Sequence, residues 1–151
     1  MRNITGGVAL VTGGARRLGR AFALALADRG MHIAVHHGSS AAEANEVVTR
    51  IRDGGTDAEA FGADLRDAEA ASALPARVVE RFGRLDVLVN SAAVMERIGV
   101  HETTVPDWDD IVDLNLRAPF FLAQQAAPHL AARHGTIVNI ADLSGFEPWR
   151  N

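Results

Sequence analysis

The chain has 151 residues, 48% apolar and 23% charged, with a net charge of −4, no cysteine, and 15 basic residues that are all Arg. That is the composition of one soluble globular domain; it excludes disulfides, thiolate catalysis and zinc–thiolate sites, and it offers no basic footprint for nucleic acid or an anionic membrane. Tyr is absent as well as Lys, so chemistry that needs either side chain cannot run on these residues alone. Short β-branched apolar runs then alternate with longer Ala-rich segments of helical period. Val8-Ala9-Leu10-Val11 reads as the first strand, and residues 22–27 lie in the helix after it. Residues 33–35 form the second strand, followed by a helix over about residues 41–52 that the run Asp53-Gly54-Gly55 stops. A third strand near residues 58–61 precedes a helix over about 67–81, ended by Phe82-Gly83. Residues 87–89 are the fourth strand and 137–140 the fifth. Between them runs a long helical segment, about 105–132, with interruptions predicted at Pro119 and Pro128.

Strands apolar on both faces, joined by crossovers of helical length, predict an α/β fold with a doubly wound parallel sheet. Ligand is then expected at the carboxyl ends of the strands. No apolar stretch approaches the roughly 20 residues that span a bilayer. Residues 1–5 lack a signal-peptide layout, which makes the cytoplasm the expected compartment. The six histidines, His32, His36, His37, His101, His129 and His134, match no metal-ligand spacing, and no metal is expected.

The first strand leads into Thr12-Gly13-Gly14-Ala15-Arg16-Arg17-Leu18-Gly19 and then into a helix. Glycines there let the backbone approach a ligand closely. The free N–H groups and dipole of the helix start favour an anion such as pyrophosphate. The spacing is not G-x-G-x-x-G, so by itself the turn is either an anion site or a ligand-free αβ turn. At the end of the second strand, where an NAD site places Asp or Glu, the chain reads His36-His37-Gly38. Without that carboxylate, Arg16 and Arg17 can pair with a 2′-phosphate, and Ser39 and Ser40 can add hydroxyl donors. This predicts NADP(H) over NAD(H); the alternative is that both arginines are solvated helix-start residues. Farther on, Pro119 has no N–H for the carbonyl of Asn115, which predicts a kink and an orphan carbonyl that water can serve. A kink with no catalytic use remains the other reading.

The turn resembles the fingerprint T-G-x-x-x-G-x-G of the short-chain dehydrogenase/reductase family, matched by Thr12, Gly13 and Gly19, with Arg17 at the middle glycine. That Arg, with the run from His36 through Ser40 to Asn45, is similar to the pteridine-reductase branch. Asp64-Leu65, Asn90-Ser91-Ala92-Ala93, Asn115 and Asn139-Ile140-Ala141-Asp142 follow in the family's order. The resemblance implies a Rossmann fold whose NADP(H) site holds Gly13, Arg16, Arg17, Leu18 and Gly19 in the turn and His37, Ser39 and Ser40 beyond the second strand. It puts Asp64 on the adenine amino group, the Leu65 amide on the ring, and Asn90, with Ser91 and Ala92, beside the nicotinamide ribose. It makes Asn115 and Asp142 the catalytic residues. The Asn115 carbonyl holds a relay water. Asp142 stands at the family's usual serine, as in the pteridine-reductase branch, where a carboxylate suits a substrate with basic ring nitrogens. Ser144 is the competing hydroxyl. Without the resemblance, Asp64 is a loop or helix-start aspartate, Asn90 a structural residue bonding across strand ends, and Asp142 a turn or cap.

The family's Tyr and Lys would follow Asp142 and fall beyond Asn151. Residues 1–151 are therefore expected to be one Rossmann dinucleotide-binding domain, C-terminally incomplete, lacking the Tyr-x-x-x-Lys and substrate portion and inactive alone. The parent is expected to be an NADPH-dependent reductase of a small carbonyl or imine compound, pterin-like in the branch reading, and a homo-oligomer, tetrameric by analogy. Two alternatives stand beside it: a general ketone or alcohol oxidoreductase of the family, and a non-catalytic NADP(H)-binding module.

Overall fold

The computed structural model describes residues 4–142. Five strands, β1 (Val8–Val11), β2 (His32–His37), β3 (Ala58–Gly62), β4 (Val87–Asn90) and β5 (Thr136–Asn139), form one parallel sheet in the order β3-β2-β1-β4-β5. The helices are α1 (Arg17–Ala27), α2 (Ala41–Asp53), α3 (Ala68–Phe82), α4 (Val105–Val112) and α5 (Ala118–Ala131).

The two-residue period of the strands sorts the core into two layers. Val8 and Leu10 of β1 join Ala34 and Leu88 beneath Leu74 and Val78 of α3 and Leu122 and Ala126 of α5. Ala9 and Val11 point the other way, joining Ile33 and Val35 beneath Ala23 of α1 and Val47 and Ile51 of α2. Every β1 residue is buried, which is why that strand reads as a continuous apolar run. The chain winds outward from β1 to β3 and then returns to β4 on the other side of β1. The reversal opens a crevice between the carboxyl ends of β1 and β4, the expected place for a ligand.

The long helical segment departs from expectation. Its break lies ahead of Pro119, as a π turn over Asp113–Arg117 in which the Ala118 N–H reaches back to the Asp113 carbonyl. The wider turn takes up extra backbone just ahead of Pro119, which sits in the first turn of α5. Pro128 does not interrupt the helix: α5 runs through it to Ala131. Gln124, whose carbonyl loses that partner, lies on an exposed stretch open to water. β5 is an edge strand, with Ile137 and Val138 exposed. Among the described residues no helix is long and apolar enough to cross a membrane. Ser144 and the residues after Asp142 lie outside the described residues.

Candidate functional site

β1 ends at Val11, and the next residue builds the floor of the crevice. Buried Thr12 accepts the Ser91 N–H at 2.9 Å and the Ala92 N–H at 3.0 Å on its Oγ1, and donates that hydroxyl to the Val89 carbonyl at 3.3 Å. The turn above it is held by His36 at the end of β2. Gly13 donates its N–H to His36 Nδ1 (3.2 Å), and Gly14 donates to the His36 carbonyl (2.9 Å). His36 Nε2 lies 3.1 Å from the Ala63 carbonyl, so the same imidazole ties this turn to the loop after β3.

The amides of Gly13 and Gly14 are thus committed within the protein. The donors left to meet an anion are those at the start of α1, which has no side-chain cap and no acidic residue in its first turn. α3 and α4 differ: Asp67 caps the first and a Thr104–Asp107 capping box the second. Three glycines of the turn are required by space, Gly14 because its Cβ would lie 2.9 Å from the Val11 carbonyl oxygen. A Cβ on Gly19 would lie 2.2 Å from the Gly13 carbonyl oxygen, and one on Gly13, whose φ is 62°, would lie 3.0 Å from the Cα of Ala92. Arg17 opens α1 with φ of 48°, a left-handed conformation that favours glycine.

Around this turn lies an open cleft of about 520 Å³. Gly13 and the stretch Arg16, Arg17, Leu18 and Gly19 line one side, Asp64 and Leu65 a second, Ser91 and Ala92 the floor, and Asp142 the rim beyond β5. Four elements distant in sequence therefore converge as expected. Leu18 is exposed at the mouth, an apolar side chain beside a polar turn.

Other expected residues lie outside the cleft lining. His37 turns its Nδ1 to the Gly38 carbonyl at 2.9 Å. Ser39 is exposed, and Ser40 takes the N-cap position of α2 without making a capping bond. Asn90 donates from Nδ2 to Asn139 Oδ1 across the ends of β4 and β5 (2.8 Å), and its own Oδ1 is buried with no partner. Asn115 uses its whole amide on one residue, accepting the Val94 N–H (2.9 Å) and donating to the Val94 carbonyl (2.7 Å). Arg16, expected to face a 2′-phosphate, is paired with Glu43 of α2.

Sequence reasoning misses Thr12 and His36 as site residues, although both lie within the motifs of the turn and the second strand. A histidine ending a buried strand is a visible signal, and its two partners are not. It also misses the ion pair of Arg66 with Asp110, which ties the loop after β3 to α4. That pair holds the Asp110 carboxyl below its ordinary range and raises Arg66. The Arg66 N–H bonds Asp64 Oδ1 at 3.1 Å, which fixes the Asp64 side chain at the cleft edge.

The chain is similar to many known oxidoreductases. It is 39% identical over 138 residues to the 3-oxoacyl-acyl-carrier-protein reductase FabG of Staphylococcus aureus, covering 91% of this chain and 56% of that one. A short chain dehydrogenase from Burkholderia cenocepacia, solved in complex with NADP, superposes with a TM-score of 0.93 at 35% identity, over 99% of this chain and 60% of that one. A blue fluorescent protein from a metagenomic library, in complex with NADPH, gives 0.94 at 32%, over 99% and 61%. The chain thus spans little more than half the length of the curated relatives it matches. The short chain dehydrogenase family model matches residues 7–151. Sheet order, glycine turn and sequence agree, and the chain belongs to the short-chain dehydrogenase family.

Proposed function

We propose that these residues form the dinucleotide-binding part of an NADP(H)-dependent short-chain oxidoreductase that reduces a small carbonyl or imine compound. The observation that carries this reading is the start of α1. It is uncapped, free of acidic residues, and brought against Gly13 through a glycine that no other residue can replace, at the crevice between β1 and β4. The polar groups at the cleft fit a dinucleotide: amides for the diphosphate and the exposed Asp64 carboxylate for an adenine amino group. The end of β2 carries no acid, and Arg16 and Arg17 flank the turn, which supports a 2′-phosphate.

When bound, the reduced nicotinamide supplies a hydride to the substrate. In this reading the chain's own residues prepare the place for it. Thr12 fixes the Ser91 and Ala92 amides. Asn115 holds the irregular segment at Val94, and its carbonyl, denied a helical partner by Pro119, holds a water in the proton path. Asp142 at the rim faces the substrate and pairs with a basic ring nitrogen. A pterin-like substrate rests on Asp142 and Arg17. The likeness to FabG favours a general ketone reductase of the family as the second reading. The described cleft has no Tyr or Lys, so we propose that the 151-residue polypeptide binds nucleotide without turnover, a state it would share with an NADP(H)-binding module. The whole protein is, in this proposal, a cytoplasmic homo-oligomer, tetrameric by family analogy.

Titrating the chain with NADPH and with NADH, followed by the nucleotide's own fluorescence, tests the reading. Tighter binding of NADPH is expected; equal affinities defeat the 2′-phosphate assignment, and no binding of either defeats the dinucleotide assignment.

A further inference from the structure

The expected phosphate ligand Arg16 is already engaged. Its Nε donates to Glu43 Oε1 at 2.8 Å, and a terminal guanidinium nitrogen donates to the same oxygen. Glu43 sits in the first turn of α2, just past Ser39 and Ser40, and Arg16 is the N-cap residue of α1. The pair therefore spans the gap between the glycine turn and the start of α2. That gap is where the 2′-phosphate belongs in the proposed function, on which this inference rests.

Two consequences follow from charge alone. A dianionic phosphate and the Glu43 carboxylate compete for one guanidinium, since both Nε and a terminal nitrogen are spent on Glu43 Oε1. A nucleotide with a free 2′-hydroxyl does not need Arg16 and leaves the pair intact. The carboxylate that NAD sites place at the end of β2 is absent, and an acid reaches the neighbouring space instead from α2. The Arg16 hydrogen bond also holds the Glu43 carboxyl below its ordinary range, so Glu43 is ionised wherever the protein is folded near neutrality. Arg17, the other cation of the turn, makes no ion pair with Glu43 and stands exposed.

We infer that Glu43 is a specificity-determining residue that acts through Arg16: it occupies the guanidinium in the free protein and lowers the preference for 2′-phosphorylated nucleotides over their unphosphorylated counterparts. It touches the selectivity for the phosphate and leaves the diphosphate turn alone.

The test compares adenosine 2′,5′-bisphosphate with 5′-AMP, and NADPH with NADH, by calorimetric titration of the 151-residue chain and its variants. Both ligand pairs differ only by the 2′-phosphate. Glu43→Gln should raise the NADPH-to-NADH affinity ratio about two- to five-fold, the range of an exposed ion pair expressed as binding, with NADH affinity unchanged. The gain should shrink as salt is added. In an Arg16→Ala background the same substitution should leave the ratio unchanged. An unaltered or lowered ratio in Glu43→Gln overturns the inference while the dinucleotide reading survives. A gain that persists without Arg16 also overturns it, because Glu43 would then act on the phosphate directly. If the unsubstituted chain binds none of the four ligands, the dinucleotide reading falls and this inference with it. Glu43→Ala removes the same carboxylate and serves as a second variant with the same expected direction.

Discussion

His36 accepts from Gly13 on Nδ1 and faces the Ala63 carbonyl with Nε2, which fixes the neutral tautomer with its proton on Nε2. Burial pushes its pKa from 6.5 down to about 4; the Ala63 carbonyl opposes the shift, and the nearby His37 and Arg77 charges add to it. The unfolded chain takes up a proton near pH 6.5 that the folded chain refuses until about pH 4. The stability tied to His36 is therefore complete above pH 6.5 and falls as the pH drops from there toward 4, by on the order of 3 kcal/mol. Urea unfolding at a series of pH values should show that slope. His36→Leu should flatten it while costing on the order of 2 kcal/mol at pH 7.5, since the Gly13 amide and the Ala63 carbonyl lose their partner. Arg17 invites the opposite experiment. With φ at 48°, Arg17→Gly should raise stability by about 1 kcal/mol and weaken NADPH binding, so that thermal midpoint and affinity move apart. Gly19→Ala forces a methyl into the Gly13 carbonyl and should cost about 1–3 kcal/mol, with NADPH binding lost in parallel.

Among the elements, the Asn115–Val94 pair of bonds ties the segment after β4 to the π turn. Asn115→Leu should speed hydrogen exchange at the Val94 amide and leave α3 protected, a local opening that exchange mass spectrometry reads directly. The same residue shows what the chain discloses locally and what it conceals. Pro119 announces a disturbance near Asn115, because a missing N–H is a property of one residue. That the disturbance becomes a π turn over Asp113–Arg117, and that the amide reaches Val94, depends on a segment 21 residues away. The expectation at Pro128 fails because packing carries a helix through a proline, as α3 also runs through Pro75. The strands were plain because β1, buried on both faces, leaves no room for a polar residue. β2 extends a residue beyond its apolar core at the start and two at the end, since His32 and His37 pair in register with β1 and β3 despite their polarity.

For the whole molecule, the turn was legible because Thr12 to Gly19 are neighbours in sequence, whereas the charges around it were assigned without their partners. Glu43 lies 27 residues from Arg16, and Asp110 lies 44 from Arg66, separations at which spacing carries no information. The exposed β5 edge has a consequence for the isolated chain. Among the described residues no strand pairs with the outer side of β5, and its backbone beside exposed Ile137 and Val138 forms a template for another strand. Light scattering of the 151-residue polypeptide should show association that rises with concentration, and Val138→Lys should suppress it. The hydroxyl of Thr12 matters on the same scale. One oxygen, bonded to three backbone groups, rivets the two wings of the sheet at the seam where they diverge, so an arriving nucleotide meets a rigid anvil and spends none of its binding on drawing the wings together.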